Sequence, residues 1–398
     1  GDPDRAETLI QEARATAPGA AAPEDRMLGL LRNLLLLRRG DARGALERIE
    51  AVEREIAPQP LAASEAAAKG QALERLGRPG EAFAAYRAGR EYQHRLGRRF
   101  HPAPLEARAT ALREAFMAEK LAALPRPPPV PHPMPVFLLG VQRSGTSLLE
   151  QLLSQAPGID PADGRAPLDD LTRLLPKLAA GLGGPDLPYP AALAGLAAGE
   201  ARAVLPMLAE RYLALLRERG VITGETRFVT DRSPGLPWTL GLAALLFPAA
   251  PVIHLLRHPL DVVLSGFAQD RLYEGGAGVT LESLARLYDI QMSMIGHFRG
   301  QMTLRYLPVR YEELVADPQA TLRRVLDFIG IRADPAGLLA APPRPVPRAP
   351  EHQALREPPH RRGLYRHRAF GPVLAEAMPP LEPWLERLGY RGAAREAA

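Results

Sequence analysis

The sequence predicts an all-α region of helical repeats followed by an α/β domain of the phosphate-loop type, a parallel sheet flanked by helices. Three observations predict it. Residues 1–122 are rich in Ala, Leu, Glu and Arg, with apolar residues three and four apart, the spacing of amphipathic helices. Seven of the eleven residues from Pro125 to Pro135 are proline, a composition that runs extended and stiff. Immediately beyond it, a short apolar run meets a glycine-bracketed loop and then leucines on one helical face. A length of 398 residues suits two domains. The expected division is 1–122 helical, 123–135 linker and 136–392 α/β.

The helical region repeats. Leu36, Gly40, Ala45 and Leu46 recur as Leu73, Gly77, Ala82 and Phe83, a period of 37. The second copy, Ser64 to Gly89, resembles a tetratricopeptide (TPR) repeat. Small residues let two helices approach, Gly77 ends the first, and Ala82 and Tyr86 face its partner. Two helix pairs and a fragment at 4–16 make a short array, whose surface suits a protein or peptide partner.

Composition excludes several classes. There are no cysteines, so no disulfide framework, thiolate metal site or Cys nucleophile exists. The formal net charge of +5 is too small for this length to indicate a nucleic-acid partner. Lys69, Lys120 and Lys177 are the only lysines among 50 basic residues, so Arg-rich stretches carry little information by themselves. The longest apolar run, Leu240 to Leu256, is interrupted by Pro248 and Pro251 and predicts no membrane span. A cytoplasmic location is the expectation.

The densest signal is Val136-Phe137-Leu138-Leu139, a buried strand, followed by Gly140-Val141-Gln142-Arg143-Ser144-Gly145-Thr146-Ser147. Leu148, Leu149, Leu152 and Leu153 then open a helix. This layout aims backbone N–H groups and a positive helix end at an anion. The Gly140–Gly145 spacing matches a Walker loop, but Thr146 replaces the Lys that neutralises a triphosphate. Arg143, with hydroxyls at Ser144, Thr146 and Ser147, suits a less highly charged anion that needs no metal.

A second strand, Pro251 to Leu256, leads into Arg257-His258-Pro259-Leu260-Asp261 and Ser265. Pro259 and Asp261 fit the first turn of a helix. Arg257 then stands at a strand's C-terminal end, where open α/β sheets collect ligands. Read alone, the pattern serves an anion site or a surface ion pair; with the first loop it implies a ligand with two separated anionic groups. His254, inside the strand, reads as core. His258 with Asp261 has a capping explanation, and no metal constellation is evident.

These residues resemble the sulfotransferases that use 3′-phosphoadenosine-5′-phosphosulfate (PAPS), specifically bacterial proteins fusing TPR repeats to a sulfotransferase domain, and the tyrosyl-protein sulfotransferases. The similarity runs from about Pro133 to Tyr390. Pro135 to Leu153 matches PxFxxGxxRSGTTLLEQxL with Ser147 for the second Thr, Arg257 to Ser265 matches RxPxDVxxS, and Val309 to Gly330 matches VRYExLVxDPxxTLxxxLxFxG. The resemblance implies that Arg143, Ser144, Gly145, Thr146 and Ser147 hold the 5′-phosphosulfate. It places Arg257 and Ser265 at the 3′-phosphate and Tyr311 at the cofactor. The product would be adenosine 3′,5′-bisphosphate, with no metal. The acceptor, a peptide Tyr, a glycan or a small hydroxylated molecule, is not specified.

The chain departs from the family at three places. Arg232 occupies the position of the Lys in VTDKxP, a planar fork that keeps the charge but cannot readily give up a proton. The Gly-Glu-Glu segment that supplies the acceptor's base falls on Ala162-Asp163-Gly164, so Gly164 stands at the base's position; the nearest acid, Asp163, one residue earlier and one methylene shorter, is the candidate base, with Asp169, Asp170, His360 and His367 as rivals. Residues 356–368 carry five Arg and one Glu; either they close over the cofactor, with Arg366 foremost, or they form a solvated tail. Three functions remain: a working sulfotransferase, a degenerate one acting as a TPR interaction protein, or a phosphate-loop kinase or NTPase, against which Thr146 argues.

Overall fold

The computed structural model describes residues 3–16, 22–128, 133–341 and 360–391. Part of the expected linker (129–132), the start of the basic stretch (356–359) and residue 392 lie outside the described residues. The chain opens with helices α1 (Pro3–Thr16), α2 (Ala22–Arg38), α3 (Ala42–Ile56), α4 (Ala63–Arg75), α5 (Pro79–Arg95), α6 (Pro102–Ala115) and α7 (Ala118–Leu121). There follow β1 (Met134–Leu139), α8 (Thr146–Leu153), β2 (Ile159–Pro161), α9 (Leu168–Gly181) and α10 (Val204–Glu218). Next come β3 (Phe228–Asp231), α11 (Leu236–Leu246), β4 (Pro251–Leu256), α12 (Pro259–Phe267) and α13 (Leu281–Gln301). The series ends with β5 (Arg305–Arg310), α14 (Tyr311–Ala316), α15 (Pro318–Ile329), α16 (Pro335–Ala340) and α17 (Met378–Arg387).

Two compact units emerge. One comprises the chain up to Pro102, Pro259–Leu287 and the chain from Tyr365; the other comprises Ala103–His258 and Tyr288–Leu364. Helices α1 to α5 thus group with two later segments, while Ala103 onward, with most of α6 and all of α7, groups with the sheet.

In the first unit the period of 37 marks two helix hairpins, α2/α3 and α4/α5. Gly40 and Gly77 make their turns with φ +87° and +74°, a conformation that only glycine adopts without strain. Asp41 caps α3 by accepting from the Gly44 N–H at 2.8 Å. Gly70 lets Tyr86 lie flat on α4, since a Cβ there would stand 2.2 Å from the ring. Ala45, Ala68, Ala72 and Ala82 are fully buried, so the hairpins close on small side chains. Phe83 of α5 stacks on Phe267 of α12 at 5.6 Å and meets Phe370 edge-on at 6.3 Å.

The second unit is built on a five-stranded parallel sheet in the order β2-β3-β1-β4-β5. Both faces are covered, which accounts for strands that read as continuous apolar runs. Val136 and Leu138 pack with Leu149, Leu152 and Leu153 of α8 and with Leu322, Val325 and Leu326 of α15. Phe137 points oppositely, towards Phe247, which meets Tyr212 of α10 edge-on at 5.0 Å. The chain leaves β1 towards β2 but returns from β3 across β1 to β4, so the switch point lies between β1 and β4. Parallel sheets of this kind bind ligands at that crevice, beyond the strands' C-terminal ends.

Candidate functional site

Each strand of the sheet delivers a sequence-predicted residue to its C-terminal edge. Beyond β2 lies Asp163, beyond β3 Arg232, beyond β1 the 140–147 loop, beyond β4 Arg257, and beyond β5 Tyr311. The loop and Arg257 thus flank the switch point.

The loop is tightly wound. Gly145 has φ +106°, and a Cβ on it would stand 2.5 Å from Cδ2 of Tyr311. Arg143 has φ +78°, uncommon for a residue with a side chain. The Ser144 Oγ donates to the Val141 carbonyl at 2.6 Å and is buried, so this hydroxyl closes the loop upon itself. Thr146 and Ser147 remain half-buried at the first turn of α8, and the Arg143 side chain is exposed.

Arg257 is the most constrained cation at this edge. Its Nη1 donates to the Arg143 carbonyl at 2.9 Å and its Nη2 to the Gly363 carbonyl at 2.6 Å. The guanidinium lies 4.4 Å from the centre of the Tyr311 ring. Its Nε is buried without a hydrogen-bond partner among the described residues. A buried cationic donor left unpaired is costly, so an anion supplied from outside the protein is its natural complement. Sequence reasoning missed Gly363. A Cβ there would come 3.0 Å from the Tyr311 hydroxyl and 3.2 Å from Arg257 Nη2, so the glycine is what allows this carbonyl to reach the guanidinium.

On the other side of β1, Arg232 forms a buried cluster. Its Nε donates to Glu150 and its Nη2 to Asp163. All three side chains are less than a tenth exposed. Glu150, on α8, also accepts from Thr230 Oγ1 at 3.0 Å. Burial holds the Glu150 carboxyl above the usual carboxylate range, against the opposing pull of the Arg232 guanidinium. Asp163 reaches the cluster from a left-handed turn, with φ +45° followed by +78° at Gly164. Sequence reasoning found Asp163 and Arg232 but not Glu150. Beside them, fully buried Asp231 accepts from the Tyr212 hydroxyl at 2.9 Å and from the Ser233 N–H and hydroxyl at 2.9 and 2.7 Å. Burial pushes its carboxyl up, against these three donors.

Ser265, Arg366 and His367 lie in the first unit. Ser265 is buried on α12. Arg366 is ion-paired with Glu74 of α4, which also accepts from the Tyr86 hydroxyl at 2.8 Å. His367 Nδ1 meets the fully buried Asp261 carboxylate at 2.8 Å, and the same oxygen accepts from the His367 backbone N–H. Residues 366–370 are thereby fastened to α4 and α12. Of the other histidines, His360 is exposed, while His254 is buried, pairs with the Tyr306 hydroxyl at 2.6 Å and has its pKa pushed down to about 3 by burial. Among the described residues no group of His, Asp and Glu is arranged to hold a metal ion. No single described helix is long and apolar enough to cross a membrane.

A doubly covered five-stranded parallel sheet, with a glycine loop and a buried arginine at its switch point, defines an α/β domain. The chain belongs to the Sulfotransferase family, whose model matches residues 135–335. Among curated proteins it is 30% identical over 241 residues to nodulation protein NoeE of Sinorhizobium fredii, covering 53% of each chain. It is 26% identical over 201 residues to an uncharacterized protein of Aquifex aeolicus, covering 50% of this chain and 26% of that protein. The chain thus spans about half the length, or less, of these curated relatives. Among solved structures, the sulfotransferase domain from the Synechococcus PCC 7002 olefin synthase is 23% identical, with 64% of this chain and 90% of that one covered and a TM-score of 0.37.

Proposed function

We propose that this chain transfers a sulfuryl group from PAPS to a hydroxyl or amine acceptor. The observation that carries the reading is Arg257, a buried cation at the switch point with an unpaired Nε, wedged between the loop carbonyl of Arg143 and the Tyr311 ring. These residues fit a phosphorylated nucleotide. Gly145 turns the loop into the N-terminus of α8, where helix N–H groups suit an anion, and the Arg257 Nε offers a charged donor to a phosphate.

Within this reading, PAPS supplies an activated sulfuryl group whose transfer needs in-line geometry and charge neutralisation. The loop N–H groups, Arg143, Thr146 and Ser147 take the 5′-phosphosulfate, and Ser144 keeps the loop closed. Arg257 and the family motif's Ser265 take the 3′-phosphate, with Tyr311 beneath Arg257. Asp163 accepts the acceptor's proton. Arg232, bonded to Asp163 and Glu150, orients that carboxylate and carries the positive charge that the family places there as Lys. Arg366, already paired with Glu74, holds the C-terminal segment. The acceptor is unassigned, and the helical hairpins are a candidate surface for a peptide partner.

A second reading, binding without turnover, is favoured by one observation: both carboxylates of the buried cluster are engaged by Arg232. Calorimetric titration with adenosine 3′,5′-bisphosphate and PAPS in the absence of metal, beside ATP with Mg²⁺, tests the donor assignment. Micromolar binding of the bisphosphate supports it, and preference for ATP–Mg²⁺ would overturn it. Sulfuryl transfer from PAPS to a panel of phenols, with Arg143→Ala as the inactive control, separates the two readings.

A further inference from the structure

Glu312, the second residue of α14, is a buried carboxylate. Strands β4 and β5 run parallel and end together, their last paired residues being Leu256 and Arg310. His258 lies beyond that pair, and its buried N–H still needs an acceptor. Glu312 Oε1 supplies it at 2.9 Å. Two consecutive side chains after β5 thus hold two consecutive residues after β4. The Tyr311 ring lies 4.4 Å from the Arg257 guanidinium, and Glu312 takes the backbone of His258. Glu312 also acts on the buried Tyr288 of α13, whose hydroxyl is held above its ordinary range by burial and by that carboxylate. Arg257, Tyr311, Glu312, Gly363 and the 140–147 loop all belong to the second unit.

An arginine side chain is aimed from both of its ends. The far end of Arg257 is set by the carbonyls of Arg143 and Gly363. Its Nε, the nitrogen nearest the main chain, follows the peptide that joins Arg257 to His258. We infer that Glu312 is a positioning residue for Arg257, holding that peptide so that Nε meets the donor's 3′-phosphate. The inference rests on the proposed function, which assigns the 3′-phosphate to Arg257. Loss of the Glu312 acceptor leaves a buried N–H unpaired, and a shift of the peptide that relieves it swings Nε away. A role as a nearby charge alone has the opposite sign. A carboxylate close to a phosphate repels it, so neutralising that carboxylate would tighten binding.

The test uses the full chain with Glu312→Ala and Glu312→Gln, titrated with adenosine 3′,5′-bisphosphate and with adenosine 5′-monophosphate. Wild-type chain should prefer the bisphosphate; if it does not, the functional reading itself falls, and this inference with it. Given that preference, Glu312→Ala should weaken bisphosphate binding about tenfold and leave monophosphate binding within about twofold. Glu312→Gln, whose side-chain carbonyl still accepts the His258 N–H, should stay within about threefold of wild type on both. Equal losses on both nucleotides, no loss in Glu312→Ala, or tighter binding in Glu312→Gln would overturn the inference. In an Arg257→Ala background, Glu312→Ala should change bisphosphate affinity by less than about twofold, because its effect passes through Arg257; a further tenfold loss there would equally sink the idea. Where Glu312→Ala no longer unfolds cooperatively, Glu312→Asp, which keeps the charge but is one methylene too short, carries the comparison and should show the same selective loss.

Discussion

The ring of Tyr311 lies between two groups of the site: the Arg257 guanidinium is 4.4 Å from its centre, and the Cα of Gly145 meets its Cδ2 edge with no room for a Cβ. The strand end of β5 is therefore the spacer that sets the loop after β1 against the cation after β4. On the proposed function, this geometry predicts that Arg257 is the strongest single determinant of donor affinity. Arg257→Ala is expected to weaken adenosine 3′,5′-bisphosphate binding about a hundredfold. Arg257→Lys, with the charge but no fork, should recover only part of that loss. Calorimetry on the two variants decides it; wild-type affinity in Arg257→Ala would remove Arg257 from the site.

Gly145→Ala should be costly for two separable reasons. The residue would be held at φ +106°, and its Cβ would sit 2.5 Å from Tyr311. Together these should lower unfolding stability by about 2 kcal/mol, measured by urea denaturation. The double variant with Tyr311→Ala should regain bulk tolerance but not the strain of the left-handed turn. An unchanged denaturation midpoint in the single variant would mean that loop and ring are not held as described.

The buried cluster separates binding from turnover. Asp163→Asn keeps the shape of the side chain but removes the proposed base, so kcat should fall at least about a hundredfold with bisphosphate affinity unchanged within about twofold. Glu150→Gln instead removes one of the two carboxylates around a buried guanidinium and should cost about 2 kcal/mol of stability. Steady-state kinetics alongside urea denaturation distinguishes the two effects. Full activity in Asp163→Asn would move the base elsewhere.

His254 gives a pH dependence with a defined sign. Burial holds its ring down at about 3 in the folded chain, against 6.5 in the unfolded one. Between those values the unfolded chain binds a proton that the folded chain refuses, so stability falls as pH drops below about 6.5. The slope from this residue approaches about 1.4 kcal/mol per pH unit. His254→Gln, which can still bond Tyr306, should flatten the dependence between pH 5 and 6.5 in urea titrations. An equal slope in both proteins would assign the acid sensitivity to other groups.

Much of this was legible in the chain itself. Strand, loop and helix are consecutive around residues 136–153, and the hydrogen bonds of loop and helix close over three or four residues, so glycine spacing and leucine periodicity suffice to locate the loop. The same holds for Arg257 at the end of an apolar run, and for the helix hairpins, whose period of 37 appears in the glycines that turn them. Counting along a motif reached Gly164, and Asp163 followed as the nearest acid.

What tertiary structure alone decided are the partners. Arg232 is 82 residues from Glu150 and 69 from Asp163, Arg257 is 106 from Gly363, and Arg90 is 177 from Phe267. No local pattern encodes such pairs, because a side chain's chemistry travels with the sequence while its neighbours are set by strand order and crossover connections. The order β2-β3-β1-β4-β5 brings the ends of β2 and β3 beside α8, and so turns an arginine and two carboxylates into one buried cluster. The sequence determined which residues could bind an anion or carry a proton. The sheet decided which of them come together, because burial makes each charge depend on the partner that the fold supplies.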